Sequence, residues 1–595
     1  MPVGYREVAW RDNVTGGYEE NKGQFRMSSQ VMEHYRNAVA MVTAPGAFLE
    51  LTTVDVDGHV LKSYQHAPGS MRDLWLLGQG FGDQEYIVYN DERCTFAEAG
   101  QIVSCFATWL KSQGIGSGDR VAIAMRNYPE WIFAYWGIIA VGGVVVGMNA
   151  WWVADEMAYA LNDSEPKLLV ADDQRLTVFS EIAADFPGLP VVAVREADSP
   201  VPAIQWADTV QSPGDFPMPD IEPSDDACIF YTSGTTGRPK GAQLTHRGCV
   251  HNILNVAAMG QIFATTQAIS RGETVEAPVS APAATSLVAT PLFHVTANNC
   301  VMHGATLSGG KLVLMYKWDT KEALKLIERE KVNTLSAVPM MTRELLAHPD
   351  FTEYDTSSLN SLGGGGAAMH PDLPNKVVET TQRAKPAQGY GMTEVCGIST
   401  YTTGDLFLAR PQSCGPLVPT LEGKIVNDAG DSLPVGEAGE LLLKGPLVIK
   451  GYLNRPEETA ETIVDGWLHT GDIGYFDEDG FLYLVDRVKD MILRGGENIY
   501  CAEVEGALYT HPAVLETVAF AVPDDRLGEE VGVAVHLKPD AMLDAPGLRE
   551  HMGSRLAAFK VPRYVWFLSE PLPRNASGKF LKRELKEVLD PASSD

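Results

Sequence analysis

A short segment rich in hydroxyl groups and glycines, YTSGTTGRPKG at residues 231–241, contains one lysine, Lys240. Hydroxyl groups and glycine amides can surround phosphate oxygens, and a nearby lysine adds positive charge. The segment is not a P-loop, because there the lysine directly follows glycine and precedes Ser or Thr. Here Lys240 lies between Pro239 and Gly241. An apolar strand pattern, ACIFY, precedes the loop and a helical pattern starts near Thr245, which favours a phosphate site over a flexible surface loop.

Five other segments place carboxylates, a histidine or lysines beside glycines and hydroxyl groups. They are PLFHVTANN at 291–299, QGYGMTE at 388–394, HTGD at 469–472, DRVKDMILRGGENIY at 486–500 and PRNASGKFLKR at 573–583. Taken singly, each has an ordinary structural interpretation, such as a surface glutamate, a turn aspartate, a packed histidine or a solvated lysine. Together they resemble the loop at 231–241 in how densely polar groups and glycines occur.

The composition is that of an ordinary globular protein with several domains. The chain has 595 residues, 45% hydrophobic and 21% charged, which is more than one hydrophobic core usually serves. Its formal net charge of −30 argues against a nucleic-acid partner, because duplex binding needs a basic surface. The eight cysteines form no C-x-x-C pair and no cluster with zinc spacing. We therefore expect reduced thiols in a cytoplasmic protein.

From about residue 99, apolar helical patterns alternate with short β-branched runs, which predicts a parallel sheet covered by helices. Helical spacing covers 99–114, 129–141 and 154–162, whereas RVAIAM, VVVG and KLLVAD have the pattern of buried strands. Residues 131–148 are apolar and uncharged and reach the length of a membrane helix. Because Gly142-Gly143 interrupts them, we predict a helix, a turn and a strand rather than a membrane span.

The pattern changes at two further places. The acidic, Pro-rich residues 212–226 are predicted to link two subdomains, and mixed patterns beyond Asp486 predict a small α+β unit. The predicted class is α/β, with layered sheets and helices in a large domain and a small, mobile lid domain after it. The predicted units are an N-terminal extension (1–70), the N-terminal domain (71–485) and the C-terminal lid domain (486–595). Membrane contact and homodimer formation are left open as roles of the extension.

The chain from about residue 70 to the end resembles the adenylate-forming superfamily. The resemblance rests on five motifs in this order: the loop, QGYGMTE, HTGD, DRVKDMILRGGENIY and PRNASGKFLKR. The members of this superfamily are acyl-CoA synthetases, adenylation domains and beetle luciferases, and five motifs in order make the resemblance very specific. It implies that a carboxylate is joined to the α-phosphate of ATP with release of pyrophosphate, before a thiol displaces AMP. The loop around Lys240 would then grip the leaving pyrophosphate, a role that does not require the lysine geometry of a P-loop.

The resemblance implies an ATP site with Mg²⁺ as cofactor. Thr393 matches a contact of the α-phosphate, Glu394 matches a Mg²⁺ ligand, and Asp472 and Arg487 match ribose contacts. Thr235 matches a second Mg²⁺ contact. Gln388, Gly389 and Tyr390 match the adenine and acyl-site wall, with Gly366 and Ala367 opposite. The loop residues assigned to phosphate binding are Thr232, Ser233, Gly234, Thr235, Thr236, Gly237 and Lys240.

The resemblance also implies the catalytic groups and a moving domain. His294 matches a residue near the entering carboxylate, and Lys579 matches a lysine that bridges the carboxylate and the α-phosphate. With Thr393 and Glu394 they complete the implied catalytic set. For the second half-reaction the C-terminal domain rotates about a hinge. The residues matched to that step are Asp486 and Lys489 at the hinge and Gly495 and Gly496, which admit the pantetheine arm of coenzyme A.

The acid is predicted to be hydrophobic and of some bulk. In LGGGGAAMH at 362–370, Gly364 and Gly365 match the acyl wall, and Asn298 lies on the opposite side. Small residues leave volume there, and no acidic residue in these segments would meet an ammonium group. A medium- or long-chain fatty acid or an aryl-alkyl acid is expected, and Gly365→Trp is expected to shorten it. The alternative for the tetraglycine is a flexible turn.

The acceptor and two rival functions stay open at this point. The chain ends soon after Lys579 without a fused carrier domain, which favours free coenzyme A over a stand-alone ligase that loads a carrier protein. A non-catalytic relative that binds nucleotide or acyl chains would be expected to lack Lys579, Glu394 or Lys240, and all three are present. A luciferase-type oxidation is a further rival. Two departures from the family pattern, NAWW at 149–152 and Met369 in place of proline, concern pocket shape and partners.

Overall fold

The structure is a computed structural model. It describes residues 22–195, 198–212, 214–232, 238–366, 369, 372–487, 490–494, 497–524, 526–575 and 579–594, with the backbone alone at 22–29 and 498. Its helices are α1 (Lys22–Val42), α2 (Met71–Gly78), α3 (Phe96–Ser112), α4 (Pro129–Ala140), α5 (Ala154–Ser164), α6 (Asp173–Ser180), α7 (Trp206–Thr209), α8 (His246–Ser270), α9 (His303–Ser308), α10 (Thr320–Glu330), α11 (Pro339–Ala347), α12 (Leu373–Thr380), α13 (Gly404–Ala409), α14 (Pro456–Thr462), α15 (Cys501–Tyr509), α16 (Ala545–Gly553) and α17 (Lys582–Val588).

The strands fall into several sheets. In chain order they are β1 (Leu51–Val56), β2 (His59–Tyr64), β3 (Glu85–Tyr89), β4 (Glu92–Thr95), β5 (Arg120–Ala124), β6 (Val144–Gly147), β7 (Leu168–Asp172), β8 (Val191–Val194), β9 (Ile204–Gln205), β10 (Asp226–Thr232), β11 (Lys240–Thr245), β12 (Thr285–Val288), β13 (Lys311–Leu314), β14 (Thr334–Ser336), β15 (Ser361–Gly364), β16 (Lys385–Tyr390), β17 (Thr400–Thr403), β18 (Gly415–Pro416), β19 (Glu422–Val426), β20 (Gly439–Lys444), β21 (Gly451–Tyr452), β22 (Ile463–Val464), β23 (Trp467–Phe476), β24 (Phe481–Arg487), β25 (Ile492–Arg494), β26 (Glu497–Ile499), β27 (Val514–Asp524), β28 (Gly528–Leu537) and β29 (Tyr564–Leu568).

Two eight-stranded sheets form the body of the large unit, in the orders β21-β11-β10-β6-β5-β7-β8-β9 and β17-β16-β15-β14-β12-β13-β3-β4. Their central strands pair in parallel, and antiparallel strands such as β11 and β17 lie toward the edges. A six-stranded antiparallel sheet follows, and a five-stranded sheet with β29 belongs to the C-terminal unit, which has its own apolar cores. The α/β class with a large N-terminal and a small C-terminal unit is confirmed; the exact domain bounds stay predictions.

The local sequence explains the elements that carry the first sheet. Helix α3 begins after Thr95. The hydroxyl of Thr95 accepts a hydrogen bond from the amide of Glu98, and the Glu98 carboxylate accepts one from the amide of Thr95. Helix α4 begins with Pro129, which has no amide hydrogen to leave unpaired. The predicted helices and strands between residues 99 and 172 are all found, within a few residues of their predicted bounds.

The apolar residues 131–148 divide as predicted into a helix, a turn and a strand. Helix α4 and strand β6 are both buried, and Gly142 between them has φ +73°. A positive φ at this point turns the chain at low cost because glycine has no Cβ. Among the described residues, no helix is both long enough and apolar enough to cross a membrane.

One prediction about the chain around the phosphate loop was wrong. Residues 212–226 do not link subdomains, because strand β10, at their end, pairs with β6 inside the sheet that the preceding strands had begun. A strand that the sequence analysis did not predict, β11, follows the loop and pairs antiparallel with β10, so the loop connects a β-hairpin. Helix α8 then begins after Thr245, whose hydroxyl accepts from the amide of Gly248 at 3.0 Å, close to its predicted start.

Part of the predicted N-terminal extension packs on the large unit. In helix α1, the buried residues Met32, Tyr35, Ala38 and Val42 lie on one face. Tyr35 contacts the rings of Phe263 in α8 and Phe481 in β24. These apolar contacts make α1 part of the hydrophobic core that holds α8 and the six-stranded sheet.

Candidate active site

The phosphate loop begins and ends at paired residues of a hairpin. Thr232 is the last residue of β10, Lys240 is the first of β11, and the two are direct partners in the antiparallel ladder. The hairpin therefore holds the two ends of the loop together. Five predicted phosphate contacts, Ser233, Gly234, Thr235, Thr236 and Gly237, lie outside the described residues, and the predicted Mg²⁺ contact of Thr235 lies there with them.

The predicted adenine wall lies where β15 and β16 run side by side. Gly364 at the end of β15 is in register with Gln388 of β16, and Gly389 and Tyr390 complete that strand. Gly366 follows two residues after β15 and has φ +85°. Gln388 is buried, and its Oε1 has no hydrogen-bond partner in the described part of the chain. A buried acceptor without a partner is costly, so this oxygen is suited to a donor from a bound ligand.

A buried carboxylate joins the wall to the six-stranded sheet. Asp472 of β23 is 4% exposed and is paired in register with Arg487 of β24. Its Oδ1 lies 3.0 Å from Nε of Arg487, and its Oδ2 accepts a hydrogen bond from the hydroxyl of Tyr390 at 2.6 Å. Burial and the Asp472 charge raise the pKa of Tyr390 well above its usual value, so this phenol stays a donor.

The local backbone explains why Asp472 points into this network. The hydroxyl of Thr470 accepts from the amide of Asp472 at 3.1 Å, and the amide of Gly471 donates to Oε1 of Glu440 at 3.1 Å. The ladder between β20 and β23 is irregular at this point. The HTGD sequence thus forms a local bulge fixed by its own polar groups, and such bulges redirect side chains.

Thr393 and Glu394 begin a short helical turn that follows β16. Oε1 of Glu394 accepts a hydrogen bond from the hydroxyl of Tyr452 at 2.8 Å. The Tyr452 ring lies 4.9 Å from Nζ of Lys240. The predicted metal ligand and the predicted phosphate lysine are therefore brought to the same tyrosine. Sequence reasoning missed Tyr452, and the only signal would have been its place in KGYLN, an otherwise ordinary strand and turn.

Lys579 reaches this site from the C-terminal unit. Burial and the positive charge of Arg487 lower its pKa, whereas the charges of Asp472 and Glu394 act in the opposite direction. The side chain keeps exposed surface, so the surrounding groups desolvate it only in part. The charges of Arg487, Asp472 and Glu394 therefore act on Lys579, although all three residues are remote from it in the sequence.

His294 is a second predicted catalytic residue on which the charge of Lys579 acts. Burial, followed by the charge of Lys579, lowers the pKa of His294 to about 4. The imidazole is therefore neutral near pH 7, where it can orient a carboxylate but adds no positive charge. The turn that carries it is fixed by the amide of His294, which donates to the carbonyl of Pro291 at 3.1 Å.

Gly364, at the end of β15, and Gly365, which follows it, lie close to neighbouring backbone, which explains why glycine is needed at these positions. The sequence analysis did not predict this. Gly364 has φ +150°, and a Cβ there would lie 2.3 Å from the carbonyl oxygen of Ala337. A Cβ at Gly365 would lie 2.5 Å from the carbonyl oxygen of Gly389. A tryptophan at Gly365 would therefore meet the backbone of β16 at its Cβ, and the expected effect of Gly365→Trp on the preferred acid stays a prediction. The place of the two glycines in an acyl wall also stays a prediction.

Asn298 is buried in a π-helical turn at Thr296–Met302. Its Oδ1 accepts from Nε1 of Trp131 at 3.2 Å, and its Nδ2 donates to Oδ1 of Asn299 at 2.8 Å. This amide therefore binds neighbouring side chains in the core, and its contact with an acyl group stays a prediction.

The predicted hinge begins at a carboxylate that joins the two units. Oδ1 of Asp486 accepts from the amide of Arg487 at 2.7 Å, and Oδ2 accepts from the amide of Cys501, the first residue of α15. Ala367, Lys489, Gly495 and Gly496, which complete the predicted site and the path for the pantetheine arm, lie outside the described residues.

The described residues fit a nucleotide with a divalent cation. Glu394 presents a carboxylate of which one oxygen is held by Tyr452. Mg²⁺ accepts one or two protein carboxylates when phosphate oxygens and waters fill its other positions. Within the described ranges, no group of three or more His, Cys, Asp or Glu side chains could hold a metal by itself. Glu394 would thus share the ion with the phosphates.

This fold and site define an adenylate-forming enzyme. Residues 77–453 match the family described as AMP-binding enzyme, and 503–579 match the AMP-binding enzyme C-terminal domain. The chain belongs to this family and, within it, to the coenzyme A ligase branch: it is an AMP-forming acid–CoA ligase.

Curated relatives cover most of the chain. A feruloyl-CoA synthase of Amycolatopsis is 36% identical over 500 residues, covering 83% of this chain and 93% of that protein. A long-chain-fatty-acid–CoA ligase of Bacillus subtilis is 33% identical over 534 residues, covering 85% and 92%. Among solved structures, ATP-bound MatB of Rhodopseudomonas palustris is 28% identical with a TM-score of 0.75, covering 86% of this chain and 98% of that one. The o-succinylbenzoate CoA synthetase of Bacillus subtilis bound to its acyl-adenylate is 28% identical with a TM-score of 0.72, covering 86% and 97%.

Proposed function

We propose that the protein converts a hydrophobic carboxylic acid, fatty or aryl-alkyl, into its coenzyme A thioester with ATP and Mg²⁺. The observations that support this proposal are that the charges of Arg487, Asp472 and Glu394 act on Lys579, that the charge of Lys579 acts on His294, and that Tyr452 contacts both Glu394 and Lys240. A carboxylate and a triphosphate repel each other, and such groups can hold them together.

In the first half-reaction, a carboxylate oxygen of the acid attacks the α-phosphorus of ATP. The bond from that phosphorus to the bridging oxygen breaks, and pyrophosphate leaves with the electron pair. In this proposal Lys579 neutralises the oxygens that approach each other, neutral His294 orients the acid, and Asp472 with Arg487 holds the ribose. Mg²⁺, held by Glu394, offsets phosphate charge when bound.

In the second half-reaction, the thiol sulfur of coenzyme A attacks the acyl carbon of the adenylate. The bond from the acyl carbon to the phosphate oxygen breaks, AMP leaves, and the thiol proton passes to solvent. Lys579 has no role in this step, because no second anion needs to approach the carbonyl. We propose that the C-terminal unit turns about the segment that starts at Asp486, which removes Lys579 and admits the thiol.

The class of acid is supported by two observations. The segments expected to face the acyl group contain no carboxylate that would pair with an amino acid's ammonium group. The relatives are named for feruloyl and long-chain fatty acyl products, both derived from acids with large apolar parts.

The test measures pyrophosphate release with ATP and Mg²⁺ over a panel of acids, comprising hydroxycinnamic, phenylpropanoic, C6 to C18 fatty, malonic and amino acids. Each acid is tested with coenzyme A, with a phosphopantetheinyl carrier protein, and without an acceptor. We expect turnover with a hydrophobic acid and coenzyme A together. Turnover only with the carrier protein would show that the carrier protein, and not coenzyme A, is the acceptor. A preference for malonate or an amino acid would refute the proposed class of acid.

The Lys579→Ala variant separates the two half-reactions. We expect a loss of about 1,000-fold in acyl-AMP formation, since a unit charge at about 4 Å in a medium of effective dielectric constant 20 contributes about 4 kcal/mol. Conversion of supplied acyl-AMP to thioester should change by less than about twofold. Lys560→Ala, which removes a lysine paired with Glu503 elsewhere in the C-terminal unit, is the matched control. Equal losses in both half-reactions would contradict the assigned role.

A further inference from the structure

Tyr452 lies between the two predicted phosphate-binding elements. Its strand, β21, pairs with β11 so that Tyr452 is opposite Ala242. The amide of Ile449, on the same segment, donates to the carbonyl of Glu394 at 3.1 Å, and the amide of Leu453 donates to that of Gly241 at 2.8 Å. Backbone hydrogen bonds thus attach this segment to the Glu394 turn on one side and to the start of β11 on the other.

The Tyr452 side chain contacts both functional groups. Its hydroxyl donates to Oε1 of Glu394 at 2.8 Å, and no other hydrogen bond to this carboxylate occurs among the described residues. Tyr452 itself is 8% exposed. A charge-assisted hydrogen bond from a buried donor is strong and directional. It fixes the rotation of the carboxylate and leaves the other oxygen for a ligand.

The ring of Tyr452 acts on Lys240. Nζ of Lys240 lies 4.9 Å from the ring centroid, within the range of a cation–π contact. In the part of the chain that the structure describes, Lys240 forms no ion pair with a carboxylate. An aromatic face restrains an ammonium group without cancelling its charge, whereas a carboxylate would neutralise it. The ring therefore holds the lysine at the hairpin end while its charge remains available to a phosphate.

We propose that Tyr452 is a positioning residue for the nucleotide: its hydroxyl orients Glu394 toward the metal ion, and its ring orients Lys240 toward the phosphates. This inference rests on the proposed function, in which Glu394 and Lys240 contact a metal–ATP complex. The roles of the hydroxyl and of the ring can be tested separately, because Tyr452→Phe removes the hydroxyl alone, whereas Tyr452→Ala removes both the hydroxyl and the ring.

The test is calorimetric titration without an acid substrate, using MgATP and, separately, ATP in EDTA. The ratio of the two affinities measures the contribution of the metal. For Tyr452→Phe we expect that ratio to fall by about tenfold, as for loss of a hydrogen bond to a charged group, while the affinity for metal-free ATP stays within about twofold. For Tyr452→Ala we expect the affinity for metal-free ATP to fall as well, by about threefold to tenfold.

Glu394→Gln supplies the second arm. In that background Tyr452→Phe should change the metal contribution by less than about twofold, because the oriented carboxylate is already gone. Tyr475→Phe, a partly buried tyrosine stacked on Tyr483 in the six-stranded sheet, is the matched control and should leave both affinities unchanged.

Three results would contradict the role proposed for Tyr452. An unchanged metal contribution in Tyr452→Phe would refute the role of the hydroxyl, and an equal loss of both affinities would indicate a packing defect. An undiminished effect in the Glu394→Gln background would show that the hydroxyl acts elsewhere. The titration needs no turnover, so failure of the acid panel would refute the proposed function without deciding the role of Tyr452.

Discussion

The Asp486→Asn substitution tests the junction between the two units. The Asp486 carboxylate accepts from the amides of Arg487 and Cys501, so one of its hydrogen bonds joins β24 to the start of α15. Burial raises its pKa to about 6, and Glu505 acts in the same direction. Lys582 and the two amides act in the opposite direction without cancelling the shift. Ionised Asp486 is therefore maintained at a cost in the folded protein.

The size of that cost follows from the shift. The pKa of Asp486 rises from its usual 3.8 to about 6. Between these values the folded state binds a proton that the unfolded state has lost, so stability falls as pH rises through this window. Integrated for this one group, ionisation costs about 1.6 kcal/mol at pH 5 and about 3 kcal/mol at pH 7.5. Asparagine does not titrate. The free energy of unfolding of Asp486→Asn, relative to that of the wild type, should therefore rise by about 1.4 kcal/mol between pH 5 and pH 7.5.

The assay is chemical denaturation of both proteins at pH 5.0, 6.0 and 7.5, followed by circular dichroism. The informative quantity is the difference in unfolding free energy between variant and wild type at each pH, since contributions from other titrating groups cancel. Asp540→Asn, which changes an exposed carboxylate on a turn, is the control and should show no such trend. The reasoning would be refuted if this difference did not depend on pH, or if the wild type became more stable relative to the variant as the pH rises.

Two further predictions concern the candidate site. With a pKa of about 4, His294 is neutral throughout the assay range, so His294→Gln should lower the rate of ATP–pyrophosphate exchange by about tenfold with a pH profile parallel to that of the wild type from pH 6 to 8. A wild-type limb near pH 6.5 that the variant lacks would contradict this. Asp472→Asn should weaken AMP binding by about tenfold and lower the free energy of unfolding by about 1–2 kcal/mol, because Arg487, whose side chain is itself partly solvated, loses its ionic partner. Calorimetry and denaturation measure these effects, and unchanged AMP affinity would argue against ribose contact by Asp472.

Much of the fold was predictable because strong local signals agreed with the tertiary structure. The capping residues Thr95 and Pro129, and apolar runs of strand length, fixed the elements between residues 99 and 172. Strand β11 was missed because KGAQLT is not an apolar run. It forms a strand because β10 and β21 pair with it on either side, and such non-local pairing has no local signature.

The candidate site was also predictable only in part. Its motif residues could be placed from sequence because each motif carries its own chemistry, but their mutual contacts could not. Tyr452 gave no signal, since its meaning depends on Glu394 and Lys240 lying beside it. The direction of a side chain at Gly365 was likewise invisible, because it depends on how closely β16 approaches. In helix α1, the spacing of Met32, Tyr35, Ala38 and Val42 was a usable helical signal that was overlooked.

The electrostatic surroundings of Lys579 suit a lysine that is needed only when nucleotide is present. Burial and Arg487 lower its pKa, and Asp472 and Glu394 compensate in part. In the proposed complex, Arg487 and Asp472 contact the ribose and Glu394 shares a metal ion, so the phosphates become the nearest uncompensated charges. Negative charge nearby favours the protonated form of a lysine. In this proposal, binding of the triphosphate would therefore stabilise the ammonium form of Lys579 at the step in which its charge is proposed to oppose the repulsion between the two anions.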